Sequence, residues 1–138
     1  MRRRVVVTGL GVVAPNGHGT AKFERALRRG LSGIRNVPEL KGLNFSCLVG
    51  GIPQACNGEF KEYFTEEKFL NINENMIYAG VAAIDAWRDA GFELPGDDAE
   101  PDWDTGAIIG SGIGGMDTIV RKLVPMVSEG KVRRLGSS

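Results

Sequence analysis

Apolar residues recur along this chain in two rhythms. Two short runs, Val5–Val7 and Ala107–Ile109, are unbroken by polar residues. Such runs predict strands covered on both faces. Elsewhere the spacing turns helical. Phe23, Ala26 and Leu27 form a stripe, with Thr20 placed as N-cap and Gly30 as the stop. The strongest periodic signal lies between 73 and 91. Ile77, Val81, Ile84 and Trp87 share one face, Asn73 or Asn75 caps the start, and Gly91 closes the helix before Pro95. Gly80, Ala82, Ala83 and Ala86 keep this helix slim enough for a close neighbour. Residues 58–71 predict one or two short amphipathic helices, and 45–49 one short strand. Residues 116–130 predict a helix that kinks or stops at Pro125, which has no N–H to donate. Two buried strands joined by a long helical crossover predict parallel pairing in an α/β layer fold.

Composition narrows the function classes. The chain has 138 residues, one domain's worth, with 17 basic and 17 acidic side chains. That balance gives no reason to expect a nucleic-acid or membrane partner. No apolar stretch reaches the roughly 18 residues of a membrane helix, and the opening residues read as a strand, not a signal peptide. Folded compactly, a chain of this mass exposes about 7,000 Å². Cys47 and Cys56, with the single His18, lack metal-ligand spacing. They read as reduced, buried thiols of a cytoplasmic protein, Cys47 as a small apolar filler, and His18 as a solvent-facing loop residue. Residues 96–104 form an acidic surface connection, and 131–138 a basic tail.

Two glycine clusters mimic a dinucleotide-binding fingerprint: Gly9, Gly11 and Ala14, and Gly110, Gly112 and Gly115. The mechanism also needs a helix opening directly from the loop and an acid after a second strand. Pro15, Asn16 and Gly17 continue a loop after the first cluster, and Arg35 and Asn36 stand where the acid is wanted. A helix does follow the second cluster, but the next candidate acid, Glu129, ends that same helix. The glycines read instead as places where a strand end turns sharply against a neighbouring backbone.

The segments "RRVVVTGLGVVAPNG", "RRGLSGI", "IYAGVAAIDAWRDAG" and "GAIIGSGIGGMD" carry a family resemblance. They occur in this order in β-ketoacyl-acyl carrier protein synthases, and the chain resembles the type II-like bacterial branch over essentially its whole length. The resemblance implies an α/β architecture: the N-terminal part of a thiolase-like fold, a mixed sheet with packed helices, incomplete over residues 1–138. It implies a cytoplasmic homodimer, without cofactor or metal, that performs a decarboxylating Claisen condensation in fatty-acid synthesis. The implied partner is an acyl carrier protein bearing a phosphopantetheine-linked acyl chain. In such enzymes the glycine loop lines the acyl pocket, which points to Gly112, Ile113 and Gly114, with Ile113 as a gate and Met116 as soft apolar wall. Lys131, Arg133 and Arg134 match a docking region for the carrier protein.

The catalytic cysteine, two histidines and lysine of the family are expected beyond Ser138, so no catalytic residue is assigned within the chain. Cys56, in "QACNG", has no histidine partner where the family would place one. The chain is therefore expected to be an inactive piece of a longer enzyme. Strand edges and the apolar face of helix 75–90 would stay uncovered unless another copy or a complementary fragment hides them. The alternative is a non-catalytic binding or scaffolding subunit that pairs with a full-length condensing enzyme.

Overall fold

The computed structural model describes residues 3–53, 59–96, 98–131 and 133. Two antiparallel hairpins and a set of helices make it mixed α/β, consistent with the N-terminal part of a thiolase-like domain. The first hairpin pairs β1 (Val13–Ala14) with β2 (Gly17–His18) across Pro15 and Asn16. A two-residue connection permits only antiparallel pairing. The second pairs β3 (Ile34–Asn36) with β4 (Val49–Gly51), with α2 (Pro38–Gly42) in the connection. The expected strand at 45–49 thus lies further along, at the glycine pair.

Helix α1 spans Thr20–Arg28, and Gly30 ends it with φ of 64°. Thr20 is already its first helical residue, so Gly19 occupies the cap position and no side chain caps the helix. A 3₁₀ turn (Glu59–Tyr63) and helix α3 (Glu66–Asn71) realise the two short helices expected there. Helix α4 covers Glu74–Asp89. Asn73 is its cap, accepting from the Met76 N–H at 3.0 Å, and Gly91 follows its end with φ of 81°. The last helical stretch is irregular. A short α5 (Met116–Thr118) widens into a π-turn (Ile119–Leu123) before α6 (Val124–Ser128). The widening ends two residues before Pro125, whose ring nitrogen has no N–H to donate to a carbonyl one turn back. The helix does not end at Pro125 but runs on to Ser128; the irregularity lies in the turn before it.

The two predicted buried strands do not form. Residues 5–7 and 107–109 are unpaired; Val5 is 94% exposed and Ile108 fully so. A strand exists only with a hydrogen-bonded neighbour, and neither run has one among the described residues. Parallel pairing is absent among them for the same reason. The chain exposes 11737 Å², well above the roughly 7,000 Å² of a compact globule.

Burial is correspondingly local. Phe60 and Val81 are the most deeply buried side chains, with Val13, Phe64 and Ile77 packed around them. The predicted stripe on α4 thus faces inward through Val81. On its other flank α4 meets the segment around Gly9 and Gly11. A Cβ at Gly11 would intrude on the Ala82 carbonyl and come within 2.8 Å of Ala86 N. One at Gly9 would intrude on the Ala86 carbonyl and come within 2.7 Å of Ala90 N. Backbone rests on backbone, as the slim helix predicted.

Candidate functional site

The first turns of α4 and the segment 109–114 enclose a cleft of about 540 Å³. Asn75, Met76 and Ala79 line it from the helix, and Ile109, Ser111 and Gly114 from the facing segment. Its walls are predominantly apolar, as a site for a hydrocarbon chain requires.

Polar contacts tie the two walls together. The Asn75 amide donates to the Ile113 carbonyl at 2.8 Å and to Ser111 Oγ at 3.4 Å. The carbonyl can only accept, which fixes Nδ2 as the group facing the loop. Asp117 Oδ2 accepts from the Glu74 N–H at 3.1 Å, satisfying one of the four orphan donors of α4 from outside the helix. Arg121 pairs with Glu74 at 3.2 Å. Gly115 starts α5 in the left-handed region, with φ of 73°.

Of the residues expected at an acyl pocket, Gly114 lines this cleft. Gly112 has open space where a Cβ would stand, and the Ile113 side chain is 74% exposed beside the glycines. Met116 begins α5 and is also exposed. Among the residues expected at a docking surface, Lys131 is exposed and paired with Glu129 at 2.6 Å. Arg133 is exposed, and Arg134 lies outside the described residues. Cys56 lies outside them too. Cys47 is a free thiol but is exposed, not buried: it lies in the loop before β4, where Phe45 and Val49 are exposed too.

The expectation for His18 is overturned. It is half-buried in β2, and its Nε2 lies 2.9 Å from Asp85 Oδ2. Tyr63 donates to the other oxygen of Asp85 at 3.0 Å, and Phe60 meets the imidazole edge-on with centroids 5.0 Å apart. Arg88 lies over the Tyr63 ring, 5.5 Å from its centroid. Asp85 therefore joins the first hairpin, the 3₁₀ turn and α4. Burial pushes the Tyr63 hydroxyl above its ordinary pKa; its hydrogen bond to Asp85 and the charges of Asp85 and Glu62 push the same way, against Arg88. The cluster was hidden in the sequence because His18, Tyr63 and Asp85 lie 22 to 67 residues apart.

Asn75 was visible only as a possible cap. Asn73 takes that role, which leaves the Asn75 amide free to reach the loop. Among the described residues no group of three or more His, Cys, Asp or Glu is arranged to hold a metal ion, and no helix is long and apolar enough to cross a membrane.

Comparison with known proteins bears out the family resemblance. The family model of the β-ketoacyl synthase N-terminal domain matches residues 2–135. The 3-oxoacyl-[acyl-carrier-protein] synthase 2 of Vibrio harveyi is 33% identical over 129 residues, covering 94% of this chain and 30% of that protein. The synthase 2 of Rhizobium meliloti is 34% identical over 123 residues, covering 86% and 29%. The mitochondrial 3-oxoacyl-[acyl-carrier-protein] synthase of Arabidopsis thaliana is 38% identical over 152 residues, covering 96% and 32%. The chain thus spans about 30% of the length of the curated relatives it matches. A match over nearly all its residues means that this chain belongs to the β-ketoacyl synthase family, in the N-terminal domain.

Proposed function

We propose that this chain is the acyl-binding part of a 3-oxoacyl-[acyl-carrier-protein] synthase of fatty-acid biosynthesis. In that reaction an acyl group passes from carrier protein to an enzyme cysteine. Malonyl-carrier protein then loses carbon dioxide, and the resulting carbanion attacks the acyl thioester. The segment 110–116 and the start of α4 supply the wall that receives the acyl tail. Ile113, with Gly112 and Gly114 on either side, limits how long a tail enters, and Met116 extends the apolar wall. Lys131, Arg133 and Arg134 meet the acidic carrier protein. The assembly acts as a dimer in the cytoplasm.

The observation that carries this reading is the apolar cleft between α4 and the glycine loop, in a chain whose family condenses acyl thioesters. It is tested by titrating acyl-pantetheines of increasing length while following the amide resonances of 109–116. Affinity is expected to rise with length to a limit, and Ile113→Ala to move that limit upward. Shifts confined to residues outside 73–80 and 109–116, or a length dependence indifferent to Ile113→Ala, would overturn it.

A further inference from the structure

We propose that Asn75 is a positioning residue that latches the glycine loop to α4 and thereby sets where Ile113 stands. The consequence for chain length rests on the acyl-pocket reading above; the latch itself does not. Gly110 and Gly112 have no neighbour within 4 Å of a Cβ position, and the Ile113 side chain is 74% exposed, so little side-chain packing holds this part of the loop. Asn75 ties it to α4 with two hydrogen bonds, one to the Ile113 carbonyl itself. Asp117 and Arg121 anchor the downstream side of the loop to Glu74. The stretch carrying Ile113 is therefore spanned between one anchored end and the Asn75 carboxamide.

That carboxamide is an unusual choice for its place. Asn75 sits in the first turn of α4, where Asn73 already does the capping. Asparagine is a poor helix former, and an exposed one in a helix is ordinarily replaced by a better former at no loss. Here its short side chain reaches across to the segment facing the helix. Losing the donor would free the loop without disturbing the cap, so Ile113 would sample positions and the length limit would blur.

The test compares Asn75→Ala, Asn75→Asp and Asn75→Gln with the unaltered chain. Asn75→Asp keeps the shape but turns an acceptor toward the Ile113 carbonyl, and Asn75→Gln keeps a donor on a longer arm. Circular dichroism should be unchanged in all three, because the cap is intact. Backbone order parameters of 111–114 are expected to fall from about 0.8 toward about 0.6 in the Ala and Asp variants, and to recover partly in Gln. Discrimination between acyl-pantetheines on either side of the length limit should fall about fivefold in Ala and Asp, again with partial recovery in Gln. Unchanged order parameters in Asn75→Ala overturn the latch, even where Ile113→Ala moves the length limit. A loosened loop with intact discrimination, in a chain whose limit does respond to Ile113→Ala, overturns the positioning role. If Ile113→Ala has no effect on length, the acyl-pocket reading fails, while a loosened loop in Asn75→Ala and Asn75→Asp still supports the latch.

Discussion

Two glycine pairs with the same spacing, Gly9–Gly11 and Gly110–Gly112, serve opposite ends. At the first pair a side chain has nowhere to go, because the α4 backbone occupies its place. At the second pair there is nothing to collide with at all. The first pair is small so that two backbones can touch; the second leaves an open stretch of loop beside a cleft. A glycine pattern therefore says little until the space around it is known.

The contrast can be broken most forcefully at the first pair. Gly11→Ala forces a carbon into the Ala82 carbonyl, and only backbone movement relieves it. A loss of about 3 kcal/mol is expected, the upper part of the range for overpacking, read as a lower urea midpoint. A midpoint equal to the unaltered chain would show that the segment 9–11 does not rest on α4 in solution. Asp85→Ala comes next. It strands the partners of the clasp behind this contact, His18 and Tyr63, at a cost of about 2 kcal/mol. Loss of Asp85 with no change in stability would mean that the hairpin does not depend on the clasp.

Tyr63 gives a smaller effect with a defined sign. Its folded pKa is raised, so its contribution is fully present below the ordinary tyrosine value of about 10 and is lost as pH rises through the folded value. Tyr63→Phe should cost about 1 kcal/mol at neutral pH and remove this part of the alkaline loss of stability. The same alkaline slope in both proteins would refute the assignment. The smallest effect belongs to the second glycine pair. Gly112→Ala meets no atom and no left-handed backbone, so its stability should change by no more than about 0.5 kcal/mol. A loss comparable to that of Gly11→Ala would erase the distinction between the two pairs.

What was legible in the sequence was what is decided nearby. Gly30 and Gly91 act within one turn of themselves and sit where their chemistry placed them, and Asn73 is one of the two caps the pattern offered. The small residues of α4 also announced a close neighbour, found at Gly9 and Gly11. What failed depends on partners far along the chain. Val5–Val7 and Ala107–Ile109 have strand composition but no described strand beside them, and composition cannot supply a partner. His18 looked like a loop residue because nothing around it hints at Asp85. Asn75 lay in plain view, but only the position of the loop reveals what it reaches.

The π-turn at Ile119–Leu123 has a geometric consequence of its own. Wound as uninterrupted α-helix, the same residues would carry everything after Leu123 further round the axis by about 100°, one residue's rotation. The bulge thus steers the cationic end of the chain, Lys131 and Arg133, toward its present quadrant. Removing one residue from the wide turn would restore the common pitch with that heading preserved, whereas tightening the turn at constant length would swing those charges to another side of the molecule.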